Sequence, residues 1–465
     1  MQKRGRTLAL AALLVAVTGG AVLIVRLEHG GGTTTTTDGR ALAVASSAAA
    51  AREQRERALA AMPPGRKLGA PASTAPEAIV RRALPAKETA PELPGASDGV
   101  VTTVTITTPV FDITRRYRSM EGPYAEYTVR IDSGSPGTPA PAAPLDAGSA
   151  RELWWWKGAK IEVLDADGKP LGQEFMCHLN LNVDPTFRRS ALGAAATTER
   201  LLTLTQGELA FALPKGLGLP AASDEAWSMM FQVLNHNRDG EFHVKQRLTM
   251  YFVRDVDLFA PIDPVTWHAA SIWVPVDKSS PDALAFDKAT CHCCAPLARG
   301  LEATNNVSGG RSVDGAGRVI VGHWTVPPGK STWSSPLKLP TGFPAKGQKL
   351  HATWTHLHPF ATEVRLAAHK PGCAPEVVAR SSIDSLRDGR VGLVSVKSLQ
   401  SAEGVPLADD ATYELTVDYD NTSGRAQDSM TSLGMFVNDD AWKRPEWATR
   451  AQNTSGMDGS CGTGP

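Results

Sequence analysis

A strongly β-forming stretch of the chain runs Val101-Thr102-Thr103-Val104-Thr105-Ile106-Thr107-Thr108. β-Branched residues dominate it, and apolar and hydroxyl side chains alternate with a period close to two, as in a half-buried strand. Similar signals follow at residues 124–131, 160–164, 201–205, 227–234, 243–253, 318–325, 351–357, 363–368, 391–396 and 412–419. Helical periodicity is scarce beyond residue 100, so the sequence predicts an all-β fold.

The spacing of these strands also predicts how the fold is divided. Asp-Gly pairs, which favour turns, punctuate the strands at residues 167–168, 239–240, 314–315 and 388–389. Regular short strands with turn signals are typical of a β-sandwich or jelly roll. Residues 100–465 are too many for one sandwich. We therefore predict two consecutive jelly-roll domains, at 100–262 and 263–465, with a Cys-rich insertion near 275–316 in the second.

The first 26 residues have the pattern of an export segment. Lys3, Arg4 and Arg6 precede an uncharged, largely apolar run at residues 7–25. As a helix this run would be roughly 28 Å long, about the thickness of a bilayer hydrocarbon core. The preceding positive charges place the N-terminus in the cytoplasm. We predict an exported protein on the periplasmic or extracellular face, with residues 1–26 as an anchor helix or a cleaved signal peptide.

Residues 27–99 are a low-complexity segment rich in Gly, Thr, Ala and Pro. They contain too few aromatic and β-branched residues to build a core, so we predict a disordered spacer between the anchor and the folded part.

The charge balance limits the range of partners. The chain carries 48 basic and 48 acidic residues, without the basic excess typical of nucleic-acid binding. We expect no nucleic-acid partner, and membrane contact only through the N-terminal anchor.

Two segments of the second half hold candidate metal ligands. His356-Leu357-His358 lies in a predicted strand, where residues i and i+2 point to the same face and so present two imidazoles side by side. Further along, Asp428-Ser429-Met430 leads into an apolar stretch, and a thioether beside two imidazoles is a ligand set suited to copper. The alternatives are an ordinary surface histidine pair and a methionine that fills the core.

Two segments of the first half hold further candidates. Cys177-His178 and His236 each lie in an apolar, strand-like context. A thiolate and imidazoles are both ligands for soft metals. Considered singly, each histidine fits a structural role with an ordinary hydrogen bond better than it fits a ligand role.

Taken in order, these segments resemble the copper type II, ascorbate-dependent monooxygenases, the family of peptidylglycine α-hydroxylating monooxygenase and dopamine β-monooxygenase. The pair His356 and His358 followed by Met430 resembles the ligand set of that family's second copper. Residues 322–329, Gly-His-Trp-Thr-Val-Pro-Pro-Gly, resemble the strand and turn that open its second domain. The resemblance is most specific over residues 318–437.

The resemblance is weaker in the first half, where the family has an adjacent His-His pair and a later His. His178 and His236 match, but Cys177 stands at the first position of the pair. The resemblance implies two jelly rolls, each with one copper, facing each other across a cleft. The first copper passes an electron, and the second binds oxygen.

Three functions follow as hypotheses. The first is an exported copper-dependent monooxygenase that hydroxylates a C–H bond of a small-molecule or peptide substrate, using two copper ions, O₂ and an ascorbate-type reductant, with His356, His358 and Met430 as catalytic ligands. The second, which the departure at Cys177 favours, is a non-catalytic copper-binding or copper-handling protein on the same scaffold. The third is a metal-free pair of jelly rolls that binds a glycan or a protein.

A cysteine cluster, Cys291-His292-Cys293-Cys294, has no counterpart in the resembled family. It predicts either structural disulfides, with Cys373 and Cys461 as further partners, or a soft-metal site. His292 is also a candidate to complete the first copper site.

Overall fold

The computed structural model describes residues 14–18, 21–25, 75–83, 98–117, 121–131, 151–194, 198–275, 311–313, 318–340 and 342–448. The chain divides into two compact units, Met1–Glu56 and Arg57–Pro465. Almost all of the described elements are strands, which confirms the predicted all-β fold.

The first unit contains two antiparallel strands, β1 (Leu14–Thr18) and β2 (Ala21–Val25). They occupy part of the segment for which the sequence predicts an anchor helix. β-Branched residues dominate both strands and Gly19-Gly20 separates them, a composition that favours a hairpin. Among the described residues, no helix has both the length and the apolar character needed to cross a membrane.

The larger unit begins with strands built around one core. They are β3 (Ala78–Ala83), β4 (Gly99–Thr107), β5 (Phe111–Ile113), β6 (Tyr124–Arg130), β7 (Leu153–Asp165), β8 (Met176–Val183), β9 (Arg200–Thr205), β10 (Ala210–Ala212), β11 (Leu217–Ala222), β12 (Ala226–Val233) and β13 (Phe242–Leu258). A short helix, α1 (Pro185–Leu192), begins at Asp184, whose carboxylate accepts a hydrogen bond from the Thr186 N–H at 2.7 Å. It ends at Gly193, whose left-handed backbone (φ 62°) suits a residue without Cβ.

The remaining strands form the second half of this unit. They are β14 (Asp263–Ser271), β15 (Val274–Pro275), β16 (Arg311–Val313), β17 (Val319–Val321), β18 (Trp324–Val326), β19 (Gly329–Pro336), β20 (Lys349–Leu357), β21 (Ala361–His369), β22 (Glu376–Ser385), β23 (Leu393–Lys397), β24 (Gln400–Pro406), β25 (Thr412–Asn421), β26 (Gln427–Ser429) and β27 (Thr431–Asn438).

One sheet runs through both halves of the larger unit, in the order β24-β20-β27-β14-β11-β7-β13-β4-β3. The halves join where β14 pairs in parallel with β11. In the first half, the sheet β6-β12-β8-β9 packs on this long sheet to form one sandwich. In the second half, the sheet β19-β25-β21-β22-β23 packs on β14, β27 and β20 to form another.

The tryptophan run at residues 154–156 is divided between two cores. Trp154 and Trp156 belong to the first core, whereas Trp155 packs in a smaller cluster on the other face of β7. All three indoles are buried, and Trp156 stacks on Phe211 with ring centroids 5.8 Å apart. These side chains are packing residues of β7.

Strand β20 presents its two faces to two different cores. Beyond an irregularity between Leu350 and Ala352, Ala352 and Trp354 join the core of the first sandwich, whereas Leu357 joins that of the second. Since side chains alternate along a strand, the even-numbered residues of β20 point at the first sandwich. The indole N–H of Trp354 donates to the Leu201 carbonyl there at 2.8 Å.

The position of the Trp354 indole depends on a glycine in the neighbouring strand. Gly434 on β27 lies opposite Trp354, and a Cβ on Gly434 would overlap the indole nitrogen. We predict that Gly434→Ala destabilises the protein by about 1–3 kcal/mol or more, because an overpacked core forces side chains and backbone to shift. The measurement is the thermal unfolding midpoint.

The matched control is Gly172→Ala. Gly172 has an ordinary extended backbone (φ −67°), and a methyl group added there would have its nearest neighbouring atom 3.7 Å away. Equal midpoints for the two variants would contradict the close contact at Gly434.

Candidate metal centre

Five histidines converge where the two sandwiches meet. We call them the histidine cluster: His178, His236, His323, His356 and His358. The rings of His178 and His356 lie 5.5 Å apart between centroids, those of His356 and His358 lie 5.5 Å apart, and those of His358 and His323 lie 5.6 Å apart. The cluster therefore contains a continuous row of four imidazoles.

Strand alternation sends the central members of the row toward each other. His356 follows Trp354 at an interval of two, so it shares the same face of β20 and points at the first sandwich. His358 follows directly after the last residue of the strand, and its ring lies against that of His356. On β8, Leu179 and Leu181 face the first core, which leaves His178 on the outer face, toward β20. His178 and His356 are thus brought together from two different sandwiches, and both are buried.

Met430 lies beside the cluster. The ladder of β20 and β27 ends at the pair Leu357 and Thr431, so His358 follows one member of that pair and Met430 precedes the other. Met430 is buried and belongs to the core that also contains Trp354. Met430 therefore lies at the end of the ladder that carries His356.

Asp428 fixes the orientation of His358. Nδ1 of His358 lies 3.3 Å from Oδ2 of Asp428 and 3.2 Å from its main-chain oxygen. The hydrogen bond goes to the main-chain oxygen, and the carboxylate lies beside the ring without hydrogen bonding to it through Oδ2. An imidazole whose Nδ1 donates to a carbonyl oxygen is a common arrangement for a metal ligand.

His236 reaches the cluster from a loop after β12. Its neighbour Asn237 clamps that loop to the second sandwich, because its amide donates to the Val391 carbonyl at 2.9 Å and accepts from the Val391 N–H at 2.8 Å. His236 remains partly accessible to solvent. Desolvation, with a smaller contribution from His358, lowers its pKa to about 4.

Burial and its neighbours keep His356 neutral. Burial, followed by the neighbouring imidazoles and Arg200, holds the pKa of His356 well below its ordinary value. Nδ1 of His356 is buried without a hydrogen-bond partner. A buried polar atom of this kind is uncommon in folded proteins, and a neutral imidazole with a lone pair is the form that binds metals.

Not every predicted ligand lies in the row. The Cys177 sulfur is 3.3 Å from Nδ1 of His178, at one end of the row. His292, with the rest of the cluster Cys291–Cys294, lies outside the described residues, as does Cys461. Cys373 is exposed and forms no disulfide within the described part of the chain.

The rings pack edge to face and do not aim their nitrogens at one point. The planes of His178 and His356 meet at 74°, and those of His356 and His358 at 83°. Accordingly, no three His, Cys, Asp or Glu side chains within the described residues are arranged to hold a metal ion as they stand. Ligation requires the rings to turn.

The sequence predicts four members of the histidine cluster as metal ligands and does not predict His323. Residue 323 has no histidine two positions away, so no strand pattern marks it. What brings residue 323 to the cluster is the pairing of β18 with β26, in which its neighbour Trp324 lies opposite Ser429. That pairing joins segments that are about a hundred residues apart in the chain, and the sequence alone does not reveal it.

Comparisons with known proteins assign no family. No protein family model matches the chain, and no curated protein matches it either. Similar solved structures include a peptide-N(4)-(N-acetyl-β-D-glucosaminyl) asparagine amidase, at TM-score 0.28 and 11% identity over 72% of this chain and 96% of that one. Another is PNGase F, a glycosylasparaginase from Flavobacterium meningosepticum, at TM-score 0.24 and 10% identity over the same shares of the two chains.

A third is a triple jelly-roll protein of an archaeal virus, at TM-score 0.14 and 7% identity over 74% of this chain and 60% of that one. At TM-scores this low, none of the three has a bearing on function. Fold and site together define an all-β, double-sandwich protein with a buried histidine cluster between its sandwiches.

A buried carboxyl group lies next to the row. Glu208 accepts a hydrogen bond from the Thr355 N–H at 3.0 Å, one residue before His356. Strand β24 pairs with β20 only as far as Ala352, so this N–H lies beyond that ladder and Glu208 satisfies it. Burial raises the pKa of Glu208 to about 8, although the bonds from Thr355 and Ser398 oppose the shift.

This shift predicts the pH dependence of stability. Between the ordinary glutamate pKa and about 8, the unfolded chain loses the proton while the folded chain keeps it. The free energy of unfolding should therefore fall as pH rises through this window, by an amount on the order of a few kcal/mol. Glu208→Gln keeps the acceptor for Thr355 and removes the ionisation.

We expect Glu208→Gln to have a higher unfolding midpoint than the wild type at pH 8.5 and a similar midpoint at pH 5. Thermal unfolding at both values is the measurement. The matched control is Glu126→Gln, an exposed change on β6. A difference from the wild type that is the same at both pH values would contradict the raised pKa.

Proposed function

We propose that this chain is a copper-binding protein whose copper lies in a single buried histidine–methionine centre between the two sandwiches. The observation that carries the proposal is the row of imidazoles. His178 of the first sandwich lies 5.5 Å from His356 of the second, and His356 lies 5.5 Å from His358.

The ring spacing suits a shared ion once the rings have turned from the edge-to-face packing of the present structure. Metal–imidazole bonds of about 2.0–2.1 Å place the centroids of two rings on one ion roughly 5–6 Å apart. The buried Nδ1 of His356 has no hydrogen-bond partner, and the lowered pKa of this ring keeps it neutral. A thioether at Met430 and the sulfur of Cys177 favour a soft ion such as Cu(I) over a hard one. When bound, copper would supply one-electron redox chemistry.

The proximity of His178 and His356 favours one centre over two. In the monooxygenases that the sequence resembles, the two coppers face each other across a cleft. Here the candidate ligands of both sites are in ring contact. This supports a copper-binding or copper-handling protein in preference to a two-copper enzyme. Export and membrane anchoring remain part of the proposal, on the evidence of residues 1–26.

Copper-dependent C–H hydroxylation is the second candidate. The observation that favours it is the ring contact of His356 with His358 at the end of the ladder that Met430 precedes, with Asp428 beside His358. The reductant would be ascorbate-like, and the substrate a small molecule or a peptide. On this hypothesis the purified protein consumes oxygen when ascorbate is added. On the first hypothesis it binds copper without that consumption.

A titration tests the copper centre. We expect the wild-type protein to bind one equivalent of Cu(I), and the bound ion to raise the unfolding midpoint because it binds only the folded chain. His178→Ala and His356→Ala should each lower the affinity, because the proposed ligands come from both sandwiches. Competition with a chromophoric Cu(I) chelator gives affinity and stoichiometry.

His351→Ala is the matched control. His351 lies on β20, as His356 does, and is as buried as His358. Its Nδ1 lies 3.1 Å from the Ser401 carbonyl oxygen, away from the histidine row. It should bind copper like the wild type. If the wild type binds two equivalents of copper and His178→Ala removes only one of them, the protein has two copper centres and the single-centre proposal is wrong. Absence of copper binding would leave the metal-free hypothesis.

A second prediction concerns the residue behind His358. Asp428→Asn keeps the size of the side chain and the main-chain hydrogen bond but removes the negative charge 3.3 Å from Nδ1 of His358. We expect copper affinity to fall about 10- to 100-fold, as is typical when a carboxylate behind a ligating histidine is lost. Asp420→Asn, a partly buried change on β25, is the control. Equal affinities for the two variants would rule out this role for Asp428.

A further inference from the structure

After its last strand, the chain returns from the second sandwich to the first. Strand β27 ends at Asn438, and the described chain continues through residues 439–448, which we call the C-terminal strap. Ala448 of the strap is buried in a small apolar cluster together with Leu153 and Trp155 of β7. The strap therefore connects the end of the second sandwich to the face of β7 that lies away from the first core.

The strap crosses the place where the two halves of the long sheet join. There β11 and β14 pair through two residue pairs within the described chain, Leu217 with Asp263 and Gly218 with Pro264, whereas β14 and β27 pair through seven. The sheet order at this point is β14-β11-β7. The Asp439 N–H donates to the Pro264 carbonyl of β14 at 2.9 Å, and later strap residues reach β7. The strap thus spans the short ladder of β11 and β14.

Two tryptophans fasten the strap to α1. The indole N–H of Trp442 donates to the Leu192 carbonyl, and that of Trp447 donates to the Ala191 carbonyl, both at 2.9 Å. The last carbonyls of a helix have no partner within the helix, so the strap supplies donors that α1 needs at its end. The Trp442 ring also packs edge-on against Trp155 of β7, with centroids 5.5 Å apart and planes at 71°.

An ion pair adds a third attachment. The Arg444 guanidinium pairs with the carboxylate of Asp255 on β13, whose side chain is 5% exposed. The other oxygen of that carboxylate accepts from the Trp155 indole N–H at 2.9 Å. Removing Arg444 would take a cation from a buried carboxylate, which is unfavourable. The strap is therefore held to the first sandwich by directed polar contacts as well as by ring packing.

The strap and the histidine row lie on opposite faces of the long sheet. Trp354 and Trp267, which bond to β9 near the row, belong to the first core together with Trp156. Trp155 points from the other face of β7 and belongs to the cluster that contains Ala448. On this second face, the short ladder of β11 and β14 therefore depends on the strap.

The strap is only shallowly embedded. Its first and last residues, Asp439 and Ala448, are buried, and the eight between them are partly or fully exposed. A segment with few buried contacts opens at a lower free-energy cost than the core around it. We infer that the C-terminal strap is a releasable clamp: when bound it fixes the two sandwiches relative to each other, and when detached it leaves the β11–β14 ladder mobile. Copper binding plays no part in this inference.

The experiment compares the full chain with the double variant Trp442→Ala, Trp447→Ala and with Lys443→Ala, an exposed change within the strap. Hydrogen exchange of the main chain, followed by mass spectrometry, reports on each strand. Because the double variant loses two hydrogen bonds, we expect exchange in the strap and β11 to rise at least about 10-fold. Exchange in β21 and β25, which lie inside the five-stranded sheet, should stay constant. Lys443→Ala should change none of these.

A measurement on the wild type keeps the test independent of variant folding. At urea concentrations below the unfolding transition, the strap and β11 should exchange by an opening that leaves β21 and β25 protected. If the strap exchanges only when β21 and β25 do, or opens while β11 stays protected, the inference is wrong. An increase in the double variant that is equal in all four elements, or no increase at all, also overturns it. Each of these results leaves the proposed copper centre intact.

Discussion

The packing of the outer face of β8 and β9 against the even-numbered face of β20 is the contact on which the candidate centre depends. Trp354 and Trp267 anchor it, since their indole N–H groups donate to the Leu201 and Arg200 carbonyls at 2.8 Å each. These bonds satisfy main-chain oxygens that the contact buries. Because β20 alternates, the same contact that seats Trp354 also carries His356 toward His178. The histidine row is thus a consequence of how the two sandwiches pack.

Polar contacts fix how the two sandwiches are aligned with each other at this interface. The turn before β10 inserts into the second sandwich, where Gln206 accepts from the Leu393 N–H at 2.6 Å and the Gly207 carbonyl accepts from the Val396 N–H at 2.9 Å. Glu208, in the same turn, accepts from Thr355. A slip of one residue along β20 would turn His356 and His358 to the other core. These bonds therefore hold the imidazoles in place as well as the sandwiches.

The cluster combines features that oppose stability with features that suit a ligand site. Buried imidazoles lose hydration, and Nδ1 of His356 recovers no hydrogen bond. In a protein without a ligand, apolar side chains would pack there at lower cost. His358, by contrast, has its Nδ1 held by the main-chain oxygen of Asp428. One ring held by a carbonyl oxygen beside another that lacks a partner is a pattern that a metal ion would complete.

The sequence by itself determined the all-β class, because strand periodicity and Asp-Gly turns are local signals. It also determined that His356 and His358 share a face, since alternation needs only one strand. It did not determine which core that face meets, because this depends on an irregularity at residues 350–352 and on the packing of β8. The partnership of His178 with His356 and the place of His323 beside His358 come from contacts between distant segments. Only the tertiary structure decided these, since the register between strands far apart in the chain is fixed by packing and not by any local pattern.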